Sequence, residues 1–202
     1  MSPSHPLTVI TRVPLPAYLA PEAVLGALHA HEPLIGANPY STRHERRPIP
    51  AAEVGEDPHF DRAGDQLQGY LVYDRVPIIP GAGSWASMLV LIPCIFQNFE
   101  RGVRCRAEAQ GGVTVRSSYE VRRRGEVEGG TVAPNDSGEG DCELIEIANI
   151  ECSSLVKPFV RSRFSSAHQE ILQRVVDKVA QASGPKPSVT PPWEDALHPA
   201  RP

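Results

Sequence analysis

The sequence predicts an α+β domain in which six or seven antiparallel strands curve around one long C-terminal helix. Three observations carry this. From Pro158 to Ser183, the apolar residues Val160, Phe164, Ala167, Ile171, Val175, Val179 and Ala182 recur every three or four positions, the stripe of one amphipathic helix. Ahead of it, between Leu67 and Leu155, apolar runs and apolar–polar alternations separated by glycine-bearing turns read as antiparallel strands with one dry face. Strand and helix signals never alternate in the rhythm of a βαβ unit, which excludes a parallel sheet.

In chain order, residues 1–6 and 185–202 are rich in proline and polar groups, expected tails around a single domain at 7–184. Leu7 to Leu15, with Val9, Ile10 and Val13, is a first strand ended by Pro14 and Pro16. Pro21 to His31 is a short helix with proline in its first turn and Val24, Leu25 and Leu28 as its apolar face. Pro33 breaks it, and Leu34-Ile35-Gly36 adds a turn. Tyr40 to Arg47 is polar, as an edge strand is. The loop Pro48 to Gly64 is long for a compact domain and is expected to be mobile or a lid.

Leu67 to Ile79 is a strand, with Leu67, Leu71, Tyr73 and Arg75 on one face and Tyr70, Val72, Asp74 and Val76 on the other. Trp85 to Phe99 is a long apolar strand in which Pro93 demands a bulge or an edge position. Two hairpins follow, turning at Glu100-Arg101-Gly102 and at Gln110-Gly111-Gly112. Between them Cys105, Ala107 and Ala109 face the dry side, and Arg104, Arg106 and Glu108 face water. Val113, Val115, Ser117, Tyr119 and Val121 repeat that alternation on the next strand. Gly125 to Gly140 is a glycine-rich, acidic excursion, and Cys142 to Leu155 is the last strand before the helix.

A chain of 202 residues with net charge −4 and pI near 6.0 has no overall attraction to nucleic acid or to an anionic membrane. No apolar run approaches the roughly 20 residues of a membrane span, so no stable membrane insertion is expected. The cysteines Cys94, Cys105, Cys142 and Cys152 form no C-x-x-C pair, and no apolar leader opens the chain. They read as free core thiols of a cytoplasmic protein. Nucleotide-binding loops, a G-x-S-x-G elbow and H-E-x-x-H are missing. His29 and His31 lie about 200° apart around a helix, too far to share a metal, and no cofactor is implied.

The segments Leu28-His29-Ala30-His31-Glu32-Pro33-Leu34-Ile35-Gly36-Ala37-Asn38-Pro39, Tyr73-Asp74-Arg75-Val76-Pro77-Ile78-Ile79-Pro80-Gly81 and the junction Lys157 to His168, taken with the element order, carry a resemblance. Over about residues 7–184 the chain resembles the helix-grip fold of the START and polyketide-cyclase (SRPBCC) superfamily, and within it a family of fungal proteins. The resemblance implies a closed cavity between sheet and helix for a lipid, sterol or polyketide.

The residues themselves suggest how such a cavity could act. The expected function is binding of an apolar small molecule, a polyketide, terpenoid or lipid of fungal secondary metabolism. Any chemistry would be cofactor-free: cyclisation, isomerisation or dehydration. In that scheme Arg75 holds an enolate or carboxylate, Tyr73 or Tyr119 donates a proton and His29 or His31 accepts one. Leu71, Cys105, Val115, Ser117 and Phe164 line the ligand site. The alternatives remain a carrier or sensor without catalysis, an Arg75 that merely pairs with Glu146 or Glu151, and histidines that cap carbonyls. Oligomeric state does not follow from the sequence.

Overall fold

The computed structural model describes residues 6–53, 57–61, 67–77, 87–125, 142–154 and 157–184. In order come β1 (Leu7–Pro14), α1 (Pro21–Ala30), α2 (Glu32–Ile35), β2 (Ser41–Arg47), a 3-10 turn (Ala51–Glu53), β3 (Leu67–Pro77), β4 (Ser87–Phe99), β5 (Gly102–Ala109), β6 (Val113–Arg123), β7 (Cys142–Glu151) and α3 (Lys157–Ser183). Trp85, Ile78, Ile79, residues 126–140 of the excursion and the 185–202 tail lie outside the described residues.

The strands form one antiparallel sheet in the order β1-β7-β6-β5-β4-β3-β2, a meander that β1 completes by pairing with β7. Because β1 and β2 stand at opposite edges, α1 and α2 carry the chain from one edge to the other. Polar β2 is indeed an edge strand, and its register shifts between Ser41 and Arg43. The β5–β6 hairpin turns through Gly111 and Gly112 at φ +85° and +73°, a region costly for residues with a Cβ. At the start of β5, a Cβ on Gly102 would stand 1.8 Å from the Tyr119 carbonyl oxygen, so only glycine lets β6 approach there.

Pro93 resolves the bulge-or-edge alternative in favour of an edge. β4 pairs with β3 in unbroken register from Ser87 to Gln97, Pro93 opposite Leu71, while its pairing with β5 starts only at Cys94. The proline thus stands where β4 has outrun its other neighbour, and no ladder bond on that side is lost.

The helix α3 lies on the concave face, nearest β1, and buries Ile171, Leu172, Val175, Val176 and Val179. They join Val13, Val24, Leu28, Leu144 and Tyr70 in the main core. A smaller cluster of Val9, Ala148, Ile150 and Cys152 sits against Val160 and Phe164, which are only half-buried. The C-terminal half of α3 is therefore the gripped half, while its N-terminal half stands over space.

The loop after β2 departs from expectation. Of its described residues, 48–53 and 57–61, the second run is fastened to the outer, convex face and not over the concave side. Asp57 accepts from Arg106 at 2.8 Å and Arg116 at 3.2 Å, and Asp61 and Gln97 exchange two hydrogen bonds of 2.8 and 3.0 Å. Phe60 is buried there. Outward arginines on β5 and β6 need carboxylate partners, and this loop supplies them.

Candidate functional site

Between α2, α3 and the concave faces of β3 to β6 lies a cavity of about 290 Å³, at the lower end of ligand-pocket size. Small side chains make the room: Cys105, Ala107 and Ala109 on β5 and Ser117 on β6 line it, and aromatic rings leave it unfilled. Phe96 and Phe164 stand in its wall without plugging it, and Met88 is exposed.

The first polar feature is a carboxyl group held behind this wall by two of its lining residues, Ser117 and His168. Glu146 points inward from β7, in the same parity as Leu144, Ala148 and Ile150, and is 0% exposed. It is held by a serine and a histidine. Ser117 Oγ donates to Oε1 at 2.7 Å, and His168 Nδ1 lies 2.8 and 2.7 Å from Oε1 and Oε2. The Nδ1–H donates to this carboxyl group, so that in the neutral imidazole the lone pair lies on Nε2. His168 lines the cavity from α3, and its ring stacks on Phe164 at 3.6 Å between centroids, one helical turn earlier. Nε2 has no protein partner among the described residues. An imidazole oriented by a buried carboxylate, with its free nitrogen available, is the arrangement of a general base.

Tyr119 borders the same carboxylate, opposite Glu146 in the β6–β7 register. Burial first, and then the charge of Glu146, push its phenol well above the ordinary tyrosine value, so it stays a neutral O–H donor. Cys105 is likewise pushed up, by its hydrogen bond with Cys94 and by burial. It remains a thiol rather than a nucleophilic thiolate. All four cysteines are free, three of them buried.

The second polar feature is Asp74, on β3, which lines the cavity and is 5% exposed. Asn38 Nδ2 donates to its Oδ2 at 2.6 Å, while Asn38 Oδ1 accepts from the Tyr40 backbone N–H at 3.0 Å. Asp74 Oδ1 is buried without a hydrogen-bond partner. Burial outweighs the Asn38 bond and raises this carboxyl above the usual aspartate range.

Of the residues singled out from the sequence, Cys105, Val115, Ser117, Tyr119 and Phe164 do line the cavity. The orientation expected for β3 is reversed. Arg75 is solvent-exposed on the outer face. Tyr73, beside it, donates to Glu45 at 2.6 Å with the Arg43 guanidinium 3.9 Å over its ring. Leu71 shares that outer face, next to Glu45 on β2. Alternation separates two faces but does not say which is inside. Here Tyr70, at 0% exposure, and Val72 are drawn into the core, and Asp74 goes in with them.

The two histidines of the α1 end do not reach the cavity either. His29 Nε2 donates to the carbonyls of Phe99 and Gly102 at 3.0 and 3.1 Å, capping the β4–β5 turn. His31, at φ +63°, is 1% exposed, stacks on Phe96 and bonds Asn98 Oδ1 at 2.8 Å through Nε2. Burial, the largest influence, lowers its pKa and keeps it neutral. Sequence reading missed His168 and Asp74 as site residues and offered Glu146 only as a partner for Arg75. For His168 and Glu146 one signal was present, a titratable residue at a position whose periodicity assigns it to the apolar face, whereas Asp74 lies on a strand whose two faces are about equally apolar.

A curved antiparallel sheet gripping one long helix, with a cavity between them, defines a helix-grip domain. By fold the chain is similar to TTHA0849 from Thermus thermophilus, with a TM-score of 0.52 at 12% identity over 89% of this chain and 99% of that one. It is similar also to the di-domain ARO/CYC StfQ from the steffimycin biosynthetic pathway, with a TM-score of 0.54 at 8% identity over 90% of this chain and 53% of that one. The chain thus spans about half the length of that two-domain protein. A START superfamily protein from Mycobacterium smegmatis aligns over 89% of this chain and 99% of its own at 9% identity, TM-score 0.48. At these identities the likeness to the first two shows the fold alone. Residues 4–181 match a family described as a domain of unknown function (DUF7053), and the chain belongs to it. No curated protein matches the sequence. Among the described residues no helix is long and apolar enough to cross a membrane.

Proposed function

We propose that the cavity binds an apolar small molecule and that His168, oriented by Glu146, moves a proton on it without a cofactor. The carrying observation is the fully buried Glu146 that clamps Ser117 and His168, two residues in the wall of a largely apolar cavity. A buried carboxylate is costly to fold around, and a ligand-facing imidazole gives it a use. In this reading His168 Nε2 takes a proton from a carbon next to a ligand carbonyl. The Tyr119 O–H hydrogen-bonds the resulting enolate oxygen. Return of that proton to a different carbon is an isomerisation. Its delivery to a departing hydroxyl releases water, a dehydration, and attack of the enolate carbon on a second carbonyl closes a ring. The ligand class is a polyketide, terpenoid or lipid of fungal secondary metabolism, and cytoplasmic action of a single domain spanning 7–184 belongs to the same proposal. The shared fold with an ARO/CYC protein of a biosynthetic pathway supports it by analogy.

The second reading, a carrier, keeps the cavity and dispenses with the proton transfer. Extracting small molecules from wild type and Glu146→Gln purified from the native host, followed by mass spectrometry, separates the two. A catalyst yields different molecules from the two proteins, isomeric or differing by one water. A carrier yields the same molecule from both. Empty protein in both cases, together with failure to bind naphthalene, would remove either reading.

A further inference from the structure

One carboxyl group, that of Asp74, lines the cavity, a second, that of Glu146, is held behind two lining residues, and only the second is satisfied. Glu146, on β7, has Ser117 and His168. Asp74 stands on β3, with β6, β5 and β4 between them in the sheet order. At about 4.8 Å per strand the two are far enough apart to act on different parts of a ligand. Asp74 Oδ1 has no partner and is too buried for bulk water to serve it. Among the described residues lining the cavity there is no arginine or lysine to answer the carboxyl. Its other oxygen is already positioned, because Asn38 is held at both ends of its amide by Asp74 and by the Tyr40 N–H. A buried polar atom left unpaired costs stability, and in a cavity wall the missing partner is a ligand group.

Resting on the proposed cavity function, we infer that Asp74, braced by Asn38, is a second subsite that recognises a hydroxyl group on an otherwise apolar ligand. A hydroxyl fits because it donates to the carboxylate and accepts from the carboxylic acid, so it is bound in either protonation state. The surrounding wall of Leu34, Ile35, Val72 and Ile92 is apolar and accommodates a hydrocarbon skeleton rather than a hydrated ion. Asp74 thereby sets which end of the ligand lies at His168 and which lies at β3, a positioning and specificity role separate from proton transfer.

The test is calorimetric binding of naphthalene, 2-naphthol and 2-naphthylmethylammonium to wild type, Asp74→Asn, Asp74→Leu and the outer-face control Arg75→Leu. Wild type and Arg75→Leu are expected to bind 2-naphthol about tenfold more tightly than naphthalene, the gain from one hydrogen bond to a buried carboxyl. That preference disappears in Asp74→Leu and shrinks in Asp74→Asn, while naphthalene affinity holds. If Asp74→Leu does not fold, the shape-conserving Asp74→Asn is read alone. Its melting temperature is expected to equal or exceed that of wild type, and a fall of several degrees makes Asp74 a structural brace and overturns the subsite. Naphthalene binding without any 2-naphthol preference, or a preference that survives in both Asp74 variants, also overturns it and leaves the cavity function standing. Tightest binding of the ammonium probe replaces the hydroxyl assignment with a cation. Failure of all three probes removes the cavity function and the subsite together.

Discussion

Buried carboxylates occur on both faces of this sheet, and the two faces treat them differently. On the outer face each has an arginine: Asp57 has Arg106 and Arg116, Glu120 has Arg122, and Glu143 has Arg12. On the concave face Glu146 is held by a serine and a histidine, and Asp74 by one asparagine amide. Charges closed off by guanidinium groups hold the fold and have no capacity left for anything else. Carboxyls held by a hydroxyl, an imidazole or an amide retain that capacity, at a cost in stability. The contrast divides the molecule into a face that fastens and a face that binds.

The largest expected effect comes from breaking the fastening face. Asp57→Ala removes the partner that Arg106 and Arg116 share, leaving Arg106 with Glu108 at 3.2 Å and Arg116 with Glu151 at 2.8 Å, and should cost about 2–3 kcal/mol in urea denaturation. An unchanged midpoint would mean that the outer pairs contribute nothing. A smaller effect, about 1 kcal/mol and of opposite sign, is expected at Asp74→Asn, where a costly buried carboxyl is replaced by a neutral amide of the same shape.

The two carboxyls also diverge with pH. Burial alone would raise the Asp57 carboxyl, but hydrogen bonds from Arg106 and the His59 N–H, and the charge of Arg116, hold it below the ordinary value. Its contribution is therefore present above a pH of about 4 and lost as pH falls through its folded-state value. Asp74 is raised by burial, so its cost is absent in acid and develops as pH rises through its folded-state value. The wild-type advantage over Asp57→Ala should shrink on acidification, and the Asp74→Asn advantage over wild type should grow on alkalinisation. Parallel slopes for the two variants would erase the distinction between the faces. Smallest of all, Arg75→Leu should change stability by no more than about 0.5 kcal/mol and leave probe binding intact, since Arg75 is exposed on the outer face.

Much of the architecture was legible from periodicity. The stripe from Val160 to Ala182 marks α3, and the alternations around Cys105 and Ser117 mark β5, β6 and their dry side, hence five lining residues. What periodicity could not supply was the sense of β3. Its two faces, one with Tyr73 and Arg75, the other with Val72 and Asp74, are about equally apolar by sequence. Only packing of Tyr70 beside Phe96 decides between them. His168 was hidden for another reason. On the helix it continues the apolar stripe one turn after Phe164, and its role exists only because β7 brings Glu146 beneath it from 22 residues earlier. The loop after β2 reads as mobile or a lid from length alone, but the position of residues 57–61 depends on Asp57 finding two outward arginines far along the chain.

The central claim is that the concave face offers a ligand the space its small residues leave, and filling that space tests it most directly. Ala107→Phe places a ring in the cavity beside Cys105, and Ala109→Leu does so more gently. Naphthalene affinity measured by calorimetry should fall at least about tenfold in Ala107→Phe, a loss of about 1.4 kcal/mol, while the melting temperature is unchanged or higher. A filled variant that folds as well as wild type and binds naphthalene equally tightly would place the ligand elsewhere and contradict the account.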